Sequence, residues 1–330
     1  MTQPTNAAVH VDSALTNISV AFLQNASHFV AGRVFPNVPV AKQSDRYFVY
    51  DRGYFNRDEA AVRAPATESA GAGYELDNTP TYFANVWAIH HDVADQVLAN
   101  ADAAVDPERA ASELVTHKLL IRKEADWASK FFGTGKWGTD ITGVAGTPGT
   151  GEVVKWSDTT SGDPIGNIRG AKTTVLESTG FMPNTLVVNQ SVFDALIDHP
   201  DIVDRIKYGQ TAGGPAMANE QTLAALFGLD RILISRAIKN TAAEGLTNSH
   251  SFIAGDNALL CYVPPSPSLM TPAAGYTFSW TGFMGQGNAF GFATKRFRME
   301  HLEATRVEGQ MAFDQKLVAS ELGFFWSQIS

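Results

Sequence analysis

The sequence predicts a mixed α+β protein in which helices and strands interleave along the chain, and three observations lead there. Helix start and stop signals bracket one unusually long segment, residues 107–132, and several shorter ones between Asp163 and Gly228. Short apolar runs of strand character, TLVVN and RILIS, stand between those helices. From Ser251 onward the chain is mostly strand-like, with Pro and Gly at the turns.

A polar N-terminal arm holds one short helical stretch near residues 12–24. The prolines and alternating apolar positions of FPNVPVAKQSDRYFVYDRG predict extended structure. From Arg52 to about Pro80 the character changes, because RGYFNRDEAAVRAPATESAGAGYELDNTP is rich in Gly, Ala and charge and keeps no helical or strand period. TYFANVWAI then alternates as a strand again. Two extended stretches around a polar excursion of this length predict a long two-stranded flap, and loops that long are usually functional or disordered. Its charges, Arg52, Arg57 and Arg63 among Asp51, Asp58, Glu59, Glu68 and Glu75, are too polar a mixture to fold alone. They suit pairing with a neighbouring chain, so Arg52, Arg57, Asp58, Glu59, Arg63, Glu68 and Glu75 are the candidate contact residues.

The best-defined element follows. Asp106 can cap a helix and Pro107 suits its first turn. Ala110, Leu114, Ile121, Ala125, Ala128 and Phe132 recur as an apolar stripe until Gly133 stops it. Residues 107–132 would make a rod of about 39 Å. After the Gly- and Thr-rich GTDITGVAGTPGTGE, the same start signal returns at Asp163 and Pro164, with a helix through Ile165, Ile168, Val175 and Leu176 to Gly180. Ser191 with Asp194 three residues on reads as a capping-box start for VFDALID, and Asn219 as the cap of EQTLAALF, which Gly228 ends.

The totals bound the function. A chain of 330 residues can form one large domain or two to three modest ones, and 44% hydrophobic with 18% charged residues is an ordinary globular composition. No window approaches the roughly 18 apolar residues of a membrane helix, and the first thirty residues carry no recognisable export signal. One cysteine, Cys261 in ALLCYV, excludes an internal disulfide framework and reads as a small buried hydrophobe. A net charge of −9 argues against a basic face for nucleic acid.

No motif supports catalysis. FGTGKWG at 132–138 puts Trp137 where a phosphate loop needs Ser or Thr. GQGNAF at 285–290 has Phe290 in place of the third glycine of a dinucleotide fingerprint, and no Gly-x-Ser-x-Gly elbow occurs. His90, His91 and Asp92 are the densest set of metal-ligand types, but neighbours on a strand point to opposite faces and no third ligand is placed. They read as a strand-to-helix junction. No metal or other cofactor is expected.

An arm, a long flap, a brace helix and a broad α+β body, in that order, resemble the HK97-like major capsid proteins of tailed bacteriophages. The local wording is similar too: FPNVPV, the run from Ala88 to Trp137, WSD at 156–158 followed by Pro164, MPNTLVVN, LAALFGLDRILIS, YVPPSP and GYTFSW. The resemblance covers nearly the whole chain. It implies an N-terminal arm at 1–35, an E-loop with its base strands at 36–86, and a peripheral domain at 87–165 containing a spine helix at 107–132. An axial domain mostly within 166–290 would have its capsomer-centre loop near 209–217, and strands at 291–330 would return to the peripheral domain. Trp127 and Phe131 would pack on the peripheral-domain sheet.

The implied function is a structural, non-enzymatic subunit that self-assembles as pentamers and hexamers into the icosahedral head shell around packaged double-stranded DNA, without sequence-specific DNA binding. Implied partners are a separate scaffolding protein, a portal and a decoration protein, with no membrane. Lys42 is the only lysine before Lys118 and lies at the loop base, away from the expected tip near 57–63, which argues against the lysine crosslink that some members of the family form. Two alternatives stand beside this reading. One is an encapsulin, a cellular shell of similar fold; the other is a soluble hydrolase, which would need a concave polar pocket with convergent titratable groups.

Overall fold

A computed structural model describes residues 23–101, 106–209, 218–267, 271–282 and 292–330. The helical stretch expected near 12–24, residues 210–217 of the expected capsomer-centre loop, and GQGNAF lie wholly or almost wholly outside the described residues.

The chain enters through α1 (Ala31–Val34) and β1 (Asn37–Val40). β2 (Ser44–Arg46) and β3 (Val49–Tyr50) lead outward to α2 (Arg52–Phe55), and β4 (Leu76–Asp77) and β5 (Thr81–Phe83) lead back. Next come β6 (Asn85–Ala94), α3 (Asp95–Ala99) and the long α4 (Pro107–Phe131). β7 (Thr139–Val144) and β8 (Glu152–Val154) precede α5 (Pro164–Thr179), β9 (Thr185–Asn189), α6 (Gln190–Asp198), α7 (Pro200–Gly209), α8 (Glu220–Phe227) and β10 (Arg231–Ser235). The remainder is β11 (Ile238–Asn240), β12 (His250–Phe252), β13 (Ala258–Cys261), β14 (Gly275–Trp280), β15 (Phe292–Met299), β16 (Ala304–Leu317) and β17 (Gly323–Ser327).

Helix starts follow local capping chemistry. The Asp106 carboxylate accepts from the Arg109 N–H at 3.1 Å, and Asp163 does the same from Gly166 at 2.7 Å. Asn219 and Thr222 close a reciprocal capping box on α8. Gly180 and Gly228 end their helices with φ of 79° and 61°, a conformation that costs a side-chain-bearing residue energy. One expected start is corrected. α6 is capped by Asn189, whose side chain accepts from Val192 N–H at 2.8 Å, and Ser191 lies inside the helix.

Two sheets organise the body. In one, β16 is the long central strand, paired with β6 on one side and with β14 and β15 on the other, and β1 extends the sheet beyond β14. The other has six strands in the order β10-β9-β13-β17-β7-β8. Alternation along β9 sends Leu186 and Val188 to one face and Val187 to the other. The first face is closed by α5, α6 and α8 over Trp156, Ile168, Leu196, Leu223 and Trp326. The second is closed by α1 and the end of α4 through Val34, Trp127, Phe131 and Phe132.

These pairings cross the borders drawn from sequence. β7 and β8, expected with the peripheral part, and β17, expected to return to it, join β9, β10 and β13 in one sheet. β14, expected with the axial part, belongs to the other. Trp127 and Phe131 accordingly pack on the six-stranded sheet, against Val187, Leu233 and Phe325, and not on the sheet of β6 and β16.

The buried face of α4 also differs from the expected stripe. Ala110 and Leu114 are exposed and Ile121, Ala125 and Ala128 are only half-buried. The first half of α4 buries Ala111, Val115 and Leu119 against β6 and β16, where Met311, Phe313, Val93 and Val307 receive them. Gly309 permits that approach, because a Cβ there would run into Val115 and stand 2.8 Å from Leu119 Cδ1. The last turns bury Trp127 and Phe131 on a different side. A rigid helix spanning two sheets cannot bury a single stripe, and it ends one residue before the expected 132, with Phe132 as its C-cap.

Candidate functional site

The flap is built by two short antiparallel ladders. Ser44 pairs with Phe83 and Arg46 with Thr81, then Val49 pairs with Asp77 and Tyr50 with Leu76. Residues 51–75 extend beyond the last pair and carry only the single turn of α2, which the Asp51 side chain caps by accepting from Gly53 N–H at 2.8 Å.

The base of the flap is anchored. Tyr82 is buried and stacks on Phe278 with centroids 4.6 Å apart, and Tyr47 meets the same ring at 5.4 Å. The buried Asp314 carboxylate accepts from Phe83 N–H at 3.0 Å and holds Lys130 at 3.1 Å and Lys316 at 3.3 Å. Burial, with the nearby Asp314 charge, raises the pKa of Tyr47 above its ordinary value. Trp280 closes the other side by donating to the Ala41 carbonyl at 2.9 Å. A buried carboxylate with this many donors fixes where the flap leaves the body.

The outer part is solvent-exposed along almost its whole length. Of the residues named from sequence, Arg52, Arg57, Asp58, Arg63, Glu68 and Glu75 are exposed and Glu59 is half-buried. Arg57 lies 5.0 Å over the Tyr54 ring and 3.9 Å from Glu59. Glu75 accepts from the Tyr54 hydroxyl at 3.3 Å, and Arg63 donates to the Thr67 carbonyl at 2.5 Å. Among the described residues, Arg52, Asp58, Arg63 and Glu68 form no salt bridge with their own chain, so their charges remain for solvent or another molecule.

Charge alone missed an apolar component. Tyr50, Phe55 and Tyr74 form a triangle with centroid distances of 5.8–5.9 Å, and Phe55 stacks on Tyr74. Phe55 is 50% exposed and Tyr74 66%. Aromatic surface left open on a polar arm is the compositional mark of an interface, since its burial against a partner is worth more than any exposed ion pair. The sequence signal was there in the aromatics at 50, 54, 55 and 74, set in a segment otherwise of Gly, Ala and charge.

His90, His91 and Asp92 sit near the end of β6, which leads directly into α3. Asp92 is engaged with Arg306 through two hydrogen bonds of 2.7 Å, and that guanidinium holds its carboxyl below the usual carboxylate range. Cys261 is fully buried in β13, and burial pushes its thiol up to about 12. Among the described residues no group of three metal-ligand side chains comes together, and no helix is long and apolar enough to cross a membrane.

A family model described as phage major capsid protein E matches residues 153–274. The chain is 27% identical over 327 residues to the major capsid protein of Pseudomonas phage JBD67, covering 97% of both. It is 23% identical over 287 residues to that of Burkholderia phage BcepMu, covering 82% of this chain and 84% of the relative. Among solved structures it is similar to a phage-related protein from Bordetella bronchiseptica RB50, with a TM-score of 0.66, 19% identity and 93% of each chain covered. The mature capsid of bacteriophage PhiM1 follows with a TM-score of 0.57, 14% identity, and 94% and 89% covered. An encapsulin from Synechococcus elongatus gives 0.53 at 9% identity, with 97% and 96% covered.

Proposed function

We propose that this chain, whose fold is the HK97-like α+β fold shared by phage shells and encapsulins, is the major capsid protein of a tailed bacteriophage and self-assembles into the icosahedral head shell. Its role is structural, and its place is the virion. The observation that carries the reading is the flap: an anchored arm whose tip leaves aromatic rings and unpaired charges exposed in the single chain. Such a device gains its stabilisation only from a second copy, and obligate interfaces commonly bury more than about 2,000 Å².

In this reading the flap, with Arg52, Arg57, Asp58, Glu59, Arg63, Glu68 and Glu75, lies across an adjacent subunit in pentamers and hexamers. Isolated exposed pairs contribute about 0–1 kcal/mol each, but a closed shell repeats every contact and desolvation strengthens the Arg pairs. A separate scaffolding protein, a portal and a decoration protein are proposed partners. The packaged double-stranded DNA is enclosed without sequence readout, in keeping with a net charge of −9.

The test is assembly. The purified chain, co-expressed with scaffold, should give closed particles by light scattering and electron microscopy, and deletion of residues 56–72 should leave a soluble protein that forms no stable shell. Stable monomers from the intact chain would remove the shell reading. Normal particles from the deletion variant would remove the flap as clamp. Particles filled with cargo protein in place of DNA, and lacking a portal, would assign the chain to the encapsulins.

A further inference from the structure

Among the described residues β6 and β15 each pair with β16 alone, so both are edge strands of their sheet. An open edge offers a row of unpaired N–H and C=O groups to any other strand, and proteins ordinarily guard it with charge. β15 is guarded, because Lys295, Arg296 and Arg298 stand exposed along its eight residues. β6 is not. From Asn85 to His91 it carries no Lys, Arg, Asp, Glu, Gly or Pro. Val86 and Ile89, on opposite faces of the strand, are 39% and 37% exposed.

Hydrogen bonds elsewhere in the sheet fix which backbone groups of β6 face outward. Thr277 N–H donates to the Pro36 carbonyl at 3.0 Å, on the β1 side of β14 and away from β16. Its cross-strand partner Gln315, and every second residue back to Val307, therefore direct their backbone groups toward β6. Opposite them Asn85, Trp87, Ile89 and His91 take up the ladder. Val86, Ala88, His90 and Asp92 point their N–H and C=O groups the other way. The flap base agrees: Ala84, next in the same alternation, donates its N–H outward to the Gln43 carbonyl at 2.8 Å, and its own carbonyl accepts from the Gln43 side chain at 3.2 Å. Beyond that one filled position, no described residue bonds to the outer backbone groups of β6.

We propose that β6 pairs antiparallel with β6 of a second copy of this chain, the two strands meeting at Ile89. The occupant follows from the strand itself. Gln43 blocks the place opposite Ala84, so an incoming strand reaches only as far as Asn85, and β6 leaves its own line for α3 after Ala94. The longest antiparallel self-pairing within those limits sets Val93 opposite Asn85 and Ile89 opposite Ile89. It joins Val86 to Asp92 and Ala88 to His90 through the outward groups, each twice by symmetry, and brings no two like charges face to face. The exposed Ile89 side chains cover each other at its centre. Main-chain pairing of this kind supplies the affinity of strand addition, and it satisfies the unguarded edge. The contact needs only two copies and does not rest on the shell reading.

Hydrogen exchange of single amides in the full-length wild type tests it, in dilute single chains and in the self-associated protein. In the single chain Trp87, Ile89 and His91 should exchange slowly and Val86, Ala88 and His90 fast. Association should slow the second set at least ten-fold. Slow exchange of both sets in the single chain would overturn the proposal by placing a segment of the same chain on the edge, and fast exchange of the second set after association would overturn it equally. Disulfide trapping identifies the partner, with the buried Cys261 left in place. Opposed residues outside the hydrogen-bonded set lie about 4.5 Å apart at Cα, within disulfide reach. Ile89→Cys should therefore give a linked dimer at least ten-fold faster than Asn85→Cys, whose two copies lie at opposite ends of the ladder. Equal rates or no dimer would overturn the pairing. Closed particles whose Val86, Ala88 and His90 amides still exchange fast would remove this contact and leave the shell reading standing, whereas an Ile89→Cys dimer that builds no particle would do the reverse.

Discussion

The carboxylate of Glu124, in the last third of α4, accepts the hydroxyl of Ser235 at the end of β10 at 2.9 Å, 111 residues away in sequence. Its other oxygen accepts Val30 N–H at 2.9 Å and Ala31 N–H at 2.8 Å, so one fully buried side chain ties the entering segment, the long helix and the six-stranded sheet together. Burial pushes its pKa up to about 7, against the pull of those donors and of Lys123.

Because the folded pKa lies above the ordinary 4.5, the native state holds this proton more tightly. The associated stability is fully present below about pH 4.5 and is lost as pH rises through about 7, a change on the order of 3 kcal/mol. Glu124→Gln can keep all three contacts, with its oxygen on the two N–H groups and its amide on Ser235. Thermal melts from pH 5 to 8 should therefore show wild-type stability falling relative to Glu124→Gln. Parallel curves for the two proteins would exclude Glu124 as the titrating group.

Trp127 is fully buried between α4 and the six-stranded sheet, with Phe132 at 5.3 Å and Phe131 at 6.4 Å. Trp127→Ala should cost about 3–5 kcal/mol in chemical denaturation. Its indole N–H meets no acceptor among the described residues, so Trp127→Phe, which removes no hydrogen bond, should cost clearly less. Equal losses in the two variants would contradict that account.

Cys261, flanked by Leu260 and Tyr262 in an apolar strand, should resist thiol reagents in the native protein at pH 8 and react at once in denaturant. Rapid native labelling would mean that β13 opens far more readily than its central place in the sheet allows.

The exposed triangle at the flap separates folding from assembly. Phe55→Ala and Tyr74→Ala should leave the melting temperature of the unassembled chain nearly unchanged, since both rings are half or more in solvent, yet lower the yield or stability of particles. Particle stability at wild-type level in both variants would assign the triangle to the flap's own geometry.

Much of the fold was legible locally. Asp106, Asp163 and Asn219 announced three helices because a cap acts on the next three residues, and Gly180 and Gly228 announced two ends because only the backbone at one residue decides them. α6 shows the limit of such reading: Ser191 carries the same kind of oxygen as Asn189, and which of them caps depends on where β9 releases the chain. The flap was legible as a polar excursion between two extended stretches, and its charges as contact candidates. Its aromatic triangle was not, because Tyr50 and Tyr74 meet only after the β3–β4 ladder closes the loop.

By itself the sequence determined the element types, the long helix and its start, the burial of a lone cysteine in ALLCYV, and an arm unfit to pack a core of its own; each depends on residues close along the chain. Tertiary structure decided which strands share a sheet, as when Phe324 pairs with Thr139 across nearly two hundred residues. It decided which sides of α4 are buried, since two sheets claim different faces of one rigid helix. It decided the fate of Glu124, a glutamate next to a lysine that reads as solvated surface until the entering segment crosses it and removes the water, leaving two backbone N–H groups and one hydroxyl in its place.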